Sequence, residues 1–217
     1  LNNTSFISIV GLLKLELRKP LPGEASHRKM APVARSSLNT NMPFQKGGVL
    51  ILLYPWDNET CVVFMKRVAD NTPHSGQISF PGGRFEPADK SLYKTALRET
   101  EEELGIPASG IEIIGHLTPL EIQVSNVEVK PFVGVSYNKP HFKPNPEEVD
   151  YLIEVNLKDM LKPDIIQKKN EFIKGIRIEI PYYNIRNNHI WGATAMILSE
   201  FLDIIKGDKI LLRMLSP

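Results

Sequence analysis

The chain has 217 residues, a formal net charge of +1, and 42% apolar and 24% charged side chains. That length suits one domain with an extension and a core of its own, and the near-neutral charge offers no global field to nucleic acid or an anionic membrane, so neither is expected as a partner. The single cysteine, Cys61, excludes an intrachain disulfide and a cysteine-rich zinc site; in the run Cys61-Val62-Val63-Phe64 it reads as a small buried residue, compatible with a reducing compartment.

In chain order, Phe6, Ile9, Val10, Leu13 and Leu17 recur at helical spacing, which predicts an amphipathic helix over residues 3–18. Pro20, Pro22 and Gly23 stop it. Residues 19–44, rich in Pro, Ser, Asn and basic side chains, are expected to be irregular. Lys14 and Glu16 interrupt the first apolar run and no basic stretch precedes it, so it does not read as a signal peptide. No run approaches the ~18 consecutive apolar residues of a membrane span, and the cytoplasm is the expected compartment. Gly47-Gly48 open a run of strand formers at 49–54. Pro55-Trp56-Asp57-Asn58 reads as a turn, and residues 61–65 as the return strand of a buried hairpin. Residues 68–77 read as a loop, and Ile78-Ser79-Phe80 as a short strand ending at Pro81-Gly82-Gly83. Strong helix formers fill residues 90–104, with Gly105 at the capping position. Extended segments are expected at 111–120, 127–136 and 149–155, the last after the polar turn Lys143-Pro144-Asn145-Pro146. Residues 173–183 alternate as a strand or hairpin, and 193–205 form a last helix with one apolar face. Strands with few helices predict an α/β sandwich around a mixed sheet.

The helix at 90–104 carries the chemistry. On a wheel of about 100° per residue, Leu92, Tyr93, Ala96, Leu97, Thr100 and Leu104 share a broad apolar arc. Glu99, Glu102 and Glu103 fall together beside it, while Glu101 points to solvent. Carboxylates at i, i+3 and i+4 repel one another. Two readings fit: a solvated acidic face, or a hard divalent cation among the acids. All-oxygen ligands suit Mg²⁺, with Mn²⁺ a plausible substitute. Such an ion neutralises phosphate charge and acidifies water, so a phosphoanhydride is the natural target. Gly82-Gly83 lets the backbone approach a ligand closely, and Arg98 is placed to pair with a carboxylate and hold it.

The segment from Gly83 to Ile106 resembles the Nudix box, a glycine-loop-helix signature ending in Arg-Glu-x-x-Glu-Glu-x-Gly. Arg98, Glu99, Glu102, Glu103 and Gly105 match that ending one for one. The resemblance implies a Nudix hydrolase with an α/β/α sandwich and mixed sheet (α/β, or α+β). Residues 1–44 would form a helical extension packing on the hydrolase domain, residues 45–217. It further implies metal ligation by Glu99, Glu102 and Glu103, and catalytic roles for Glu102, Glu103 and Arg98. The spacing departs once. The general box has a glutamate after five residues from the glycine and then seven residues before the arginine. Here the five-residue gap from Gly83 reaches Asp89, and eight residues, 90–97, precede Arg98. Asp89 and Glu86 therefore both compete for the place of the loop acid.

Around the box the chain resembles the coenzyme A pyrophosphatase branch of that family, which shares the longer loop. Lys66-Arg67, His74-Ser75-Gly76 and Phe80-Pro81-Gly82-Gly83 follow in that branch's order. Leu21-Pro22-Gly23, Met30-Ala31-Pro32 and Ile190-Trp191-Gly192-Ala193-Thr194-Ala195 add a weaker likeness. The branch implies cleavage of coenzyme A or its thioesters at the diphosphate, giving 3′,5′-ADP and 4′-phosphopantetheine or its acyl derivative. Arg67, His74 and Arg84, with Gly82 and Gly83, are the candidate substrate contacts. Arg67 and Arg84 read equally as surface charge, and His74 as a brace for its loop. The general base is open among Glu103, Glu102 and the Glu147-Glu148 pair. Trp191, Tyr182 and Tyr183 read as core or edge residues, with stacking on an adenine as the alternative. The first helix caps the domain, makes a homodimer contact or lines the pocket. Two other functions stay open at this point: hydrolysis of another diphosphate, such as ADP-ribose or a nucleoside triphosphate, and nucleotide binding by a regulator that does not cleave. The paired Glu102 and Glu103, with no DNA-binding helix pair in view, favour catalysis.

Overall fold

The computed structural model describes residues 3–32, 43–70, 74–173 and 176–215. Its architecture follows from one strand. β1 (Gln45–Trp56) alternates between two buried faces, with Leu50, Leu52 and Tyr54 on one side and Ile51 and Leu53 on the other. A strand buried on both faces needs a layer on each, which makes it the centre of a sandwich. β1 runs parallel to β7 (Val127–Val135) and antiparallel to β2 (Glu59–Arg67) and β4 (Gly82–Arg84). β3 (Ile78–Ser79) and β8 (Val149–Asn156) pair with β2, and β5 (Glu112–His116) and β6 (Leu120–Ile122) with β7, all antiparallel. The expected mixed sheet is thus present, and the fold is an α+β sandwich. The hairpin turn is confined to Asp57 and Asn58, at φ 47° and 59°. Two left-handed residues give a turn whose twist matches that of the flanking strands.

α3 (Leu92–Leu104) covers one face of the sheet, where Ala96, Leu97 and Leu104 meet Leu50, Leu52, Val63 and Met65. Burying each such aliphatic side chain contributes roughly 1.5–3 kcal/mol. Gly105, at φ 68°, closes the helix by donating its N–H to the Glu101 carbonyl. The apolar arc is narrower than expected: Tyr93 is 42% exposed and meets Phe132 edge-on. The opposite face holds α1 (Asn3–Glu16), α4 (Gly192–Gly207) and α5 (Lys209–Leu215), with a three-stranded antiparallel sheet of β9 (Ile166–Ile173), β10 (Ile176–Ile185) and β11 (Asn188–Trp191). Phe6, Ile9, Val10 and Leu13 are the buried stripe of α1, as their spacing predicts.

Residues 19–44 are not all irregular. Glu24–Lys29 form a helix, α2, with no apolar period of its own. Its anchor is tertiary: the fully buried Glu200 carboxylate accepts the Gly23 N–H at 3.0 Å and the Thr118 hydroxyl at 2.6 Å, and lies 2.9 Å from His27 Nε2. Residues 33–42 of that stretch lie outside the described residues. The extended segment expected at 111–120 breaks into β5 and β6, because Pro119 has no N–H to continue a ladder. β4, β9, β11 and α5 were not anticipated, and β10 begins at Ile176 rather than 173, with 174–175 outside the described residues. Tyr182 and Tyr183 are buried and Trp191 is half-buried, which fits core and edge positions. Cys61 is buried, and burial pushes its thiol up to about 11. No helix among the described residues is long and apolar enough to cross a membrane.

Candidate active site

β1 pairs with β4 near its start and with β2 near its end, so β2 and β4 diverge. Glu103 of α3 spans this fork. Its Oε2 accepts the Gly82 N–H of β4 at 2.9 Å, and its Oε1 accepts Arg67 Nη1 at the end of β2 at 3.0 Å. The side chain is 1% exposed. Burial raises its carboxyl to about 8, against the opposing pull of the Gly82 N–H and Arg67. Glu99 and Glu148 add repulsion in the same direction.

One turn earlier on α3, Glu99 lies against the second glycine of the pair. A Cβ on Gly83 would stand 2.4 Å from Glu99 Oε1, so only glycine leaves this carboxylate its place. Burial raises Glu99 as well, opposed by Arg98 at 3.0 Å. Glu102 is 51% exposed, with Oε2 accepting Arg98 Nη1 at 2.8 Å. Glu101 is exposed, as its wheel position predicts, and accepts the Ala108 N–H beyond the helix.

Arg98 is the hub of this layer. Besides Glu99 and Glu102 it donates to the Arg84 carbonyl and, through Nε at 2.8 Å and Nη2 at 3.2 Å, to both oxygens of Asp89. Asp89 also accepts the Thr95 hydroxyl and the Glu86 N–H. Arg98 above all holds the buried Asp89 carboxyl down to about 2. Of the two competing loop acids, Asp89 is the one bound to Arg98. Glu86 is exposed at the other end of a short turn, and its backbone closes on Asp89.

The other predicted contacts divide. Arg67 is engaged at the fork, not a free surface charge. Arg84 is exposed, and its carbonyl serves Arg98. His74 Nδ1 lies 3.3 Å from Gln77 Oε1 within its own loop, the bracing arrangement. Glu148, reaching over from the β7–β8 loop, acts electrostatically on both Glu99 and Glu103, whereas its neighbour Glu147 is exposed. Glu148 is therefore the member of that pair brought to the site.

The three helix acids do not close into a finished ion site. Among the described residues, no three acidic, imidazole or thiol groups stand close enough together to hold a metal. Each carboxylate has an arginine or backbone partner instead. The donor chemistry nevertheless fits a hard cation: all donors are oxygens, two of them desolvated, in a cradle that a single methyl group at Gly83 would fill.

A short glycine strand, not the turn expected at Gly82-Gly83, feeds an acidic helix over the fork of a mixed sheet, and this defines a hydrolase of the Nudix class. The family model described as NUDIX domain matches residues 45–177, and the chain belongs to that family. Its relatives include proteins described as "Uncharacterized Nudix hydrolase NudL" from Yersinia pestis (strain Pestoides F) and Yersinia pseudotuberculosis serotype O:1b (strain IP 31758). Each is 38% identical over 142 residues, spanning 64% of this chain and 70% of the relative. Among solved structures, a MutT/nudix family protein from Enterococcus faecalis matches with a TM-score of 0.50 and 15% identity, over 87% of this chain and 76% of that one. That likeness is one of fold alone.

Proposed function

We propose that this Nudix hydrolase cleaves the diphosphate of coenzyme A or its thioesters, giving 3′,5′-ADP and 4′-phosphopantetheine or its acyl derivative. The observation that carries the hydrolytic reading is Glu103, desolvated between the Gly82 N–H and Arg67 with Glu99 and Glu148 as anionic neighbours. A buried carboxylate among like charges is a costly arrangement, and such groups concentrate at functional sites. Glu99, Glu102 and Glu103, with Glu148 from its loop, would hold a divalent ion, Mg²⁺ or Mn²⁺. When bound, that ion supplies neutralisation of the diphosphate charge and a more acidic attacking water.

The chain's own residues do the rest. Arg98, fixed by Asp89, holds Glu99 and Glu102 on the substrate side of the helix. Arg67 and Arg84 lie at the ends of β2 and β4, where a diphosphate needs cations. Water attacks one phosphorus, the bridging P–O bond breaks, and the bridging oxygen leaves on the other phosphate. Glu148, Glu103 and Glu102 are the candidates to take the proton from that water. Coenzyme A as substrate is supported by the Lys66-Arg67, His74-x-Gly76 and Phe80-Pro81-Gly82-Gly83 context and by the longer loop that ends at Asp89.

The test is a product analysis. The protein is incubated with Mg²⁺ or Mn²⁺ and coenzyme A, acyl-coenzyme A, ADP-ribose, dinucleoside polyphosphates or nucleoside triphosphates. Release of 3′,5′-ADP from coenzyme A is expected. Cleavage of ADP-ribose or triphosphates with coenzyme A left intact would sink the substrate assignment. Binding without cleavage of any member would sink the hydrolytic mechanism.

A further inference from the structure

Asn145 sits between Pro144 and Pro146, a stretch in which proline geometry restricts both flanking residues. Every polar group it owns is used. Its N–H donates to the carbonyl of Glu103 at 2.9 Å, beyond the reach of the helix's own ladder. Its carbonyl accepts the N–H groups of Glu148 at 3.1 Å and Val149 at 2.8 Å. Its Oδ1 accepts the Glu147 N–H at 3.1 Å, and its Nδ2 donates to Glu148 Oε1 at 3.1 Å. The adjoining Lys143 N–H caps the Leu104 carbonyl at 2.8 Å. The loop comes this close because residue 105 is glycine: a Cβ there would stand 2.7 Å from Lys143 Cβ and 2.8 Å from its carbonyl oxygen.

We propose that Asn145 is a positioning residue that sets the Glu148 carboxylate in register with Glu103. One residue thus grips the backbone of the buried helix acid and the side chain of the loop acid. This inference rests on the reading of Glu148 as a working carboxylate of the hydrolytic site. It does not depend on which diphosphate is the substrate. Asparagine serves where aspartate cannot. Both can accept the Glu147 N–H, but only the amide donates to Glu148; an aspartate would set a second negative charge against it.

The Asn145→Asp variant keeps the turn acceptor and removes the donor, so it separates positioning from folding. On whichever diphosphate the wild type cleaves, kcat should fall about tenfold or more, with KM changed little and the unfolding temperature near wild type. Asn145→Ala should lose kcat in the same way. In a Glu148→Gln background, either substitution should add almost nothing, because the two act as one unit. The metal-free protein gives a readout independent of turnover. The Asn145 side-chain amide resonances should move in Glu148→Gln, where the anionic acceptor is gone. Additive losses in the double variants, or amide resonances unmoved by Glu148→Gln, would overturn the role of Asn145 alone. Full activity of Glu148→Gln itself would overturn both this role and the catalytic reading of Glu148.

Discussion

Replacing Gly83 by alanine should disable the site while sparing the fold. The added Cβ would lie 2.4 Å from Glu99 Oε1, 2.5 Å from its Cδ and 2.7 Å from its Oε2, where ordinary contact begins at 3.4 Å. The carboxylate must therefore retreat by about 1 Å (3.4 − 2.4). A misplacement of about 1 Å in a reacting geometry costs roughly 10²-fold in rate, and kcat should fall by about that factor. The obstacle is the far end of a flexible side chain, and Gly83 is not among the left-handed residues, so stability should stay within about 1 kcal/mol of wild type. Steady-state kinetics on the cleaved diphosphate, paired with thermal unfolding, reads both quantities. Gly82→Ala is the contrasting control. At φ 146°, with its Cβ 2.4 Å from the Gly48 carbonyl oxygen and 2.5 Å from Val49 Cα, it should unfold the sheet edge itself. A Gly83→Ala enzyme that folds normally and turns over near the wild-type rate would refute the placement of Glu99 as a working group.

Glu101→Gln should leave turnover nearly unchanged, since this carboxylate serves only the Ala108 N–H; a large loss in a folded variant would contradict the helix register. Asp89→Asn should weaken the Arg98 hub and lower both kcat and stability. Because Asp89 is held down to about 2, its contribution is fully present above the usual carboxylate range near pH 4 and is lost as pH falls toward 2. Wild type and variant should therefore converge in unfolding free energy at acid pH, and a constant gap across that window would exclude the linkage. Glu200→Ala strips Gly23, His27 and Thr118 of their acceptor and should cost about 3 kcal/mol in denaturant unfolding. Removing divalent ions with a chelator should abolish hydrolysis, and adding Mg²⁺ or Mn²⁺ back should restore it. Turnover that persists through chelation would dismiss the ion-assisted mechanism.

The part of the site on one helix was legible because helical spacing alone puts Glu99, Glu102 and Glu103 on one side and Glu101 off it. The pairing of Arg98 with Glu99 and Glu102 was legible too, but the partners of Glu103 were not, since Arg67 and Gly82 reach it across sequence gaps that no period encodes. The same holds for Glu147 against Glu148: adjacent acids look alike until Asn145 turns one toward the helix. In the fold, strands buried on both faces were readable as unbroken apolar runs. β9, carrying Lys168, Lys169, Asn170 and Glu171, was missed because most of it is exposed and pairs only with β10. α2 was missed for a related reason: six residues make no amphipathic stripe, and its anchor is Glu200, far along the chain. The helix start slipped by two residues because Lys90 adopts φ 64° at the end of a preceding turn.

The burial of α1 has a cost in time. Phe6, Ile9 and Leu13 share one core with Phe201, Leu202, Leu211 and Leu215. At about 5–20 residues per second of synthesis, α1 leaves the ribosome on the order of ten seconds before these C-terminal partners exist, although β1 and β5, which it also meets, emerge earlier. Throughout that interval a nascent polypeptide carries an apolar stripe that the sheet alone covers only in part. Assembly of this half of the molecule is therefore late and non-local, and it should be the step most sensitive to crowding by other unfinished chains and most helped by factors that shield emerging segments.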